Sequence, residues 1–356
     1  MSSVNTTPFV NFKSFFPQYS TNTQSAVQTP PQNNTSSLLQ TFFPGREIKG
    51  LYLNKINLVP QKPIGPYKNN LRSLFQNNNA IIMAVIPRTW NAKDKDGNGF
   101  ITENEEHGTF RNAVPKLDEA KALGINTLHV LPINTPGKKN AMGTAGSIYA
   151  PDNLLEIDPT LSEKNTPEAA KEDLKYFVDE AHKRGIAVMV DLPSCGSVDM
   201  YEKHPELMAK DGEGLPKIPQ GWNDIRMFEP FTDEKTRKLN EPLLQLHKDF
   251  VDMCIDAGVD GIRADVARAK PVEFWDRIIT YARSKDPEFA FLAECYTYED
   301  ASPMLNMPAD RPADALKAGF DSYYSQYHIF HGFEKASDFN DLVVQDMQVS
   351  IHWGGV

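Results

Sequence analysis

The sequence predicts an α/β protein whose alternating strands and helices form a parallel sheet closed as a (β/α)8 barrel. Three observations carry that prediction. A module of helix, glycine and short apolar strand recurs along the chain, acidic residues end successive strands, and a long polar insertion follows the third strand. The alternation by itself also fits a doubly wound sheet. The insertion and the strand-end acids favour a barrel, whose active site lies at the C-terminal ends of its strands.

Composition narrows the function classes. The 356 residues are enough for two or three domains, or for one large barrel with additions. Lys and Arg number 37 against 47 Asp and Glu, and the net charge of −10 argues against a nucleic-acid binder. No apolar run approaches the roughly 20 residues that span a bilayer, so no membrane partner is expected. The N-terminus lacks a secretory layout, and Cys195, Cys254 and Cys295 have no metal-type spacing. A cytoplasmic, disulfide-free protein is expected.

The elements follow in order. Residues 1–45 are rich in Ser, Thr, Asn, Gln and Pro, and read as a disordered tail relieved by Phe9, Phe12, Phe15 and Phe16. The first part of the barrel is expected over 46–193, opening with a strand at 81–87. VPKLDEAKALGINTLHVLPI then supplies a helix, Gly124 and a strand at 127–133. In TPEAAKEDLKYFVDEAHKRGIAVMVDLP, Thr166 suits an N-cap and Pro167 the first turn. Leu174, Phe177, Val178 and Ala181 share one helical face, Gly185 ends the helix, and 186–193 forms the third strand. The insertion is expected over 194–230. The remainder of the barrel, 231–356, repeats the module with strands at 261–267 and 289–295 and a weaker one at 320–325.

Between the first strand and its helix lies DKDGNGFITENE, which matches the twelve-residue EF-hand loop at every position. Asp94, Asp96, Asn98, Phe100 (through its carbonyl), Thr102 and Glu105 are the expected ligands, with Gly99 at the sharp turn. An all-oxygen set suits Ca²⁺. The flanking segments do not read as helices, so a structural staple is expected rather than a sensor.

Asp191, Asp265 and Glu294 end the third, fourth and fifth strands. Carboxylates converging on a barrel mouth are what glycosidic bond cleavage requires: one ionised to attack or stabilise the sugar cation, one protonated to release the leaving oxygen. Arg263, two residues before Asp265, shares its strand face and is expected to keep Asp265 ionised, while burial raises Glu294. Trp90 and Trp222 are candidate sugar platforms.

GIRADVARAK, FLAECY, VMVDLP and GSIYAPDNLLEIDP resemble, in order, the nucleophile, acid, third-strand and post-second-strand segments of the α-amylase superfamily, glycoside hydrolase family 13. HGTFRNAVPKL, RADVARAKPVEFW and FLAECYTYED are most similar to its maltosyltransferases, which extend α-1,4-glucans from maltose 1-phosphate. The resemblance implies Asp265 as nucleophile and Glu294 as general acid/base. It also implies substrate-site roles for Arg263, Asp191, Tyr149 (stacking on a sugar) and Lys270, and an α-glucan or maltooligosaccharide as substrate. The expected enzyme is a retaining hydrolase or transglycosylase; the alternative is a catalytically degenerate glucan-binding protein on the same barrel. Two departures stand out. Cys195 and Gly196 replace the family's Asn-His, and Ala269, preceded by Arg268, replaces a histidine. The family's third catalytic Asp, in a His-Asp motif, is not found before VSIHWGGV, so a barrel of about six strands, truncated at its C-terminus, is expected.

Overall fold

The computed structural model describes residues 66–324, apart from 103, 144, 220, 296–300, 303–306 and 309–311, together with 335–337. The chain divides into two units, Met1–Lys55 and Ile56–Val356, of which the first lies outside the described residues. The expected tail over 1–45 and the segment ending in VSIHWGGV lie outside them as well.

Six strands form one parallel sheet, and their spatial order is their order in the chain: β1 (Ile82–Val85), β2 (Thr127–Val130), β3 (Ala187–Leu192), β4 (Gly261–Ala264), β5 (Ala290–Glu294) and β6 (Ser322–Tyr324). Each falls inside the range read from the sequence. Helices α2 (Val114–Ala122), α3 (Pro167–Lys183), α4 (Glu241–Asp256), α5 (Val272–Lys285) and α6 (Pro312–Ala318) intervene, and α1 (Leu71–Gln76) precedes β1. This sequential parallel order is that of a (β/α)8 barrel, incomplete among the described residues.

Alternation along the strands sorts the side chains. Val188, Val190, Ile262 and Phe291 face the helices, where they pack with Leu174, Phe177, Phe250, Phe274 and Ile278 in the main core. Full burial of each such side chain contributes about 1.5–3 kcal/mol. The opposite face carries three parallel stripes: Ala187, Met189 and Asp191 on β3; Gly261, Arg263 and then Asp265 on and beyond β4; Ala290, Leu292 and Glu294 on β5. Its lower, apolar part is covered by Leu71 and Phe75 of α1. Gly261 is required there, because a Cβ would lie 2.6 Å from the carbonyl oxygen of Ala290.

The chain leaves the barrel after β3 and returns at α4, an excursion that includes the insertion expected over 194–230. Cys195–Ser197 pairs antiparallel with Ile225–Met227, and Phe231–Asp233 with Lys238–Leu239. A small apolar cluster of Ala150, Cys195, Ala209, Ile225, Met227 and Ala269 joins the excursion to the loop after β4. The three cysteines are buried and, among the described residues, form no disulfide. Among the described residues no helix is long and apolar enough to cross a membrane.

Candidate active site

The upper ends of the three stripes meet at one guanidinium. In the β3–β4 register Asp191 lies opposite Arg263, and Arg263 Nη1 donates to both Asp191 carboxylate oxygens at 2.8 and 2.9 Å. The same nitrogen donates to Asp265 Oδ1 at 2.9 Å, and Nη2 donates to Glu294 Oε2 at 2.6 Å. Arg263 thus grips Asp265 through one nitrogen and Glu294 through the other, with Asp191 behind. The side chains of Asp191, Arg263, Glu294 and Asp265 are 0, 6, 7 and 13% exposed, so these interactions work largely out of water.

One cation facing three carboxylates cannot neutralise them all. Burial pushes Asp191 up, but Arg263 and the hydrogen bond from His129 outweigh it and hold Asp191 below its usual range. Burial is the largest influence on Asp265 too, and there it prevails over Arg263; Glu294 and Asp191 push the same way, and the group rises to about 7. The expectation that Arg263 alone keeps Asp265 ionised is therefore corrected: the guanidinium is shared, and desolvation is the stronger effect. The proton belongs to a coupled cluster rather than to one residue.

Backbone groups complete the arrangement. Ser194 N–H donates to Asp265 Oδ2 at 3.2 Å, and Val266 N–H donates to Glu294 Oε2 at 3.0 Å. Val266 is held at φ 37°, a left-handed conformation costing a β-branched residue about 1–3 kcal/mol. The strain turns the peptide after Asp265 so that its N–H meets Glu294, while the Val266 side chain packs on the excursion's apolar cluster.

Tyr149 comes to the same place by a different contact from the sugar stacking expected: its hydroxyl donates to Asp191 Oδ2 at 2.8 Å. Burial, then the charge of Asp191, push that hydroxyl above the ordinary phenol range. Lys270, expected to touch substrate, is only 2% exposed, and its ammonium donates to Ser194 Oγ at 2.7 Å. Two members went unnoticed in the sequence. His129, on the inner face of β2, lies 2.9 Å from Asp191 Oδ2, and Ser194 links Lys270 to Asp265. A titratable residue inside the largely apolar run TLHVLPI was the available signal for His129. Trp90, half-buried, packs edge-on against Phe177 at the margin of the core, while Trp222 is exposed.

The acidic loop forms a separate cluster. Asp94, Asp96 and Glu105 each present a carboxylate oxygen within 4.8 Å of the others. Glu105 folds back across the loop, accepting from the Thr102 and Lys95 N–H groups, which hold its carboxyl down at about 2. Asp94 accepts from the Gly97, Asn98 and Gly99 N–H groups, and Asn98 Oδ1 from Phe100 N–H. Gly99, at φ 84°, takes the turn that lets these groups converge. An all-oxygen donor set of this size fits a hard cation such as Ca²⁺.

No protein-family model matches the sequence. Curated relatives do. The α-1,4-glucan:maltose-1-phosphate maltosyltransferase of Bifidobacterium animalis subsp. lactis is 29% identical over 203 residues, 53% of this chain and 27% of the relative. That of Cereibacter sphaeroides is 28% identical over 233 residues, 63% of this chain and 33% of the relative. The chain thus matches about a third of the length of these relatives. Among solved structures, an α-amylase from Lactobacillus plantarum superposes with a TM-score of 0.59 at 26% identity, over 76% of this chain and 60% of that one. A maltogenic α-amylase from Thermotoga neapolitana gives 0.54 at 23% identity, over 77% and 57%, and supports the fold alone.

Proposed function

Because the chain is related by sequence and by fold to the α-amylase superfamily, we propose that it transfers α-glucosyl or maltosyl units by a retaining double displacement. The donor is an α-1,4-glucan, a maltooligosaccharide or a maltosyl phosphate, as the names of its relatives suggest. The observation that carries this reading is the single guanidinium of Arg263 bonded to Asp265 through one nitrogen and Glu294 through the other. Two carboxyls bonded to one planar group are held side by side at the strand ends, which supports a nucleophile and an acid acting together at one anomeric carbon.

The proposed steps use these contacts. Asp265, the nucleophile, forms a bond to the anomeric carbon as Glu294 gives its proton to the departing glycosidic oxygen. Glu294, now ionised, takes a proton from the incoming water or sugar hydroxyl, whose oxygen displaces Asp265. The shared proton of the cluster must lie on Glu294 and off Asp265 for the first step. Arg263 stabilises the ionised Asp265 and, once its proton has been given up, the ionised Glu294, and Asp191, paired to Arg263 and His129, fixes the guanidinium in place. Tyr149, anchored by its hydroxyl to Asp191, presents a partly exposed ring beside the pair.

Incubation with maltooligosaccharides, and separately with maltose 1-phosphate plus glycogen, tests the reading. Transfer or hydrolysis in either assay with retained α-configuration is expected; no turnover in both overturns it.

We also propose that the Asp94–Glu105 loop binds Ca²⁺ as a structural staple, held by Asp94, Asp96, Asn98, Thr102, Glu105 and the Phe100 carbonyl. Calorimetry is expected to show one site, weakened at least about ten-fold by Asp94→Ala through loss of a charged ligand. Absence of binding at about millimolar Ca²⁺ removes the assignment.

A further inference from the structure

Behind the paired carboxyls lies a cation that the proposed chemistry leaves without a role. Lys270 is buried, its ammonium 5.5 Å from the ring centre of Phe228 and 5.7 Å from that of Trp275. Trp275 is itself tethered, its indole N–H donating to the carbonyl of Ala267 at 2.8 Å. Removing a lysine from water into an aromatic box is costly, and burial lowers its pKa to about 8. Its hydrogen bonds go to Ser194, at 2.7 Å to Oγ and 3.5 Å to the carbonyl.

Ser194 spans both sides of the strained turn. Its N–H donates to Asp265 Oδ2, and its hydroxyl lies 3.5 Å from the carbonyl of Val266. An ammonium donates and never accepts, so Ser194 Oγ must accept from Lys270 and direct its own hydrogen elsewhere, toward Val266. The contacts then run Lys270 to Ser194, Ser194 to Asp265 and to Val266, and Val266 N–H to Glu294.

We propose that Lys270 is a positioning residue: acting through Ser194, it holds the Asp265 carboxyl and the left-handed Val266 turn, and so sets Asp265 against Glu294. The inference rests on the retaining-transfer reading for its kinetic arm and is independent of it for its spectroscopic arm.

Lys270→Met keeps length and apolar packing while removing the charge and donor; Ser194→Ala removes the hydroxyl between Lys270 and Val266 and leaves the box and the backbone N–H bond to Asp265 in place. Misplacement of a reacting group by about 1 Å costs on the order of 100-fold. Each variant is therefore expected to lower kcat on a maltooligosaccharide by about 10–100-fold with KM little changed. The double variant is expected to be no worse than the poorer single one. A kcat for Lys270→Met within about two-fold of the parent, or losses that multiply in the double variant, would overturn the proposal.

The second readout is the titration midpoint of Asp265, followed by carboxyl NMR of ¹³C-aspartate-labelled protein and assigned with Asp265→Asn. Asp265 faces Arg263, Glu294, Asp191, Lys270, Tyr149 and Cys195. Its midpoint is expected to rise in Lys270→Met, and in Lys270→Gln if Lys270→Met does not fold; an unmoved midpoint contradicts the proposal. A moved midpoint in a protein that turns over neither substrate supports the positioning role and removes the functional reading instead.

Discussion

Asp265→Asn is expected to abolish turnover and at the same time to stabilise the protein above pH 7. An amide cannot form the glycosyl ester, and loss of a nucleophile of this kind lowers kcat by about 10⁴-fold or more. The stability gain follows from the sign of the shift. Asp265 has a folded-state pKa of about 7, against about 4 for a free aspartate. Between those values the folded protein holds a proton that the unfolded chain has released, so stability falls as pH rises through this window and stays lower above it. The asparagine has no such dependence, although its single amide oxygen accepts either from Ser194 N–H or from Arg263 and not from both. The expected gain is about 1–3 kcal/mol at pH 8, a few degrees in Tm, shrinking toward pH 4. Thermal melts at pH 5 and pH 8 beside kcat measurements check both halves. Residual turnover within ten-fold of the parent, or a lower Tm at pH 8, contradicts the assignment.

Arg263→Met is expected to be among the most destabilising single substitutions in the barrel. It removes the cation that Asp191, Asp265 and Glu294 share and leaves three buried carboxyls facing one another. Breaking a buried ion pair from one side costs about 3–5 kcal/mol, and here three carboxyls lose the counter-charge they share. A Tm lower by about 10 °C or more at pH 8 follows. The penalty is smaller at pH 5, because carboxyls whose folded pKa has been raised are protonated there and need no counter-charge. Melting across pH measures this. A loss of only a few degrees at pH 8, or one that grows on acidification, would show that the carboxyls do not depend on Arg263.

The barrel was legible because its grammar is local. Thr166, Pro167 and Gly185 bound α3 as capping chemistry predicts, and the Thr166 hydroxyl accepts from Ala169 N–H as an N-cap. Two-residue alternation carries Asp191, Arg263, Asp265 and Glu294 to one face without knowledge of the tertiary structure. The rest of the site depends on contacts distant in sequence. Ser194 acquires its part from Asp265, 71 residues on, and the Lys270 box needs Phe228 from the excursion. In the sequence Lys270 reads equally as a solvated helix-start lysine. Nothing in a valine signals positive φ; the strain at Val266 exists only because the surrounding contacts enforce it. The ionisation of Asp265 was misjudged for the same reason. The neighbouring Arg263 was visible in the sequence, whereas its sharing among three acids and the depth of burial were not.

A slowly hydrolysed fluorinated α-maltosyl fluoride, followed by proteolysis and mass spectrometry, asks whether a sugar bonds to the side chain named here. One glycosyl unit on the peptide containing Asp265, absent from Asp265→Asn, is the expected result. Turnover of the reagent with no protein adduct, or an adduct on a different carboxylate, would contradict the assignment of Asp265 and the double displacement built on it.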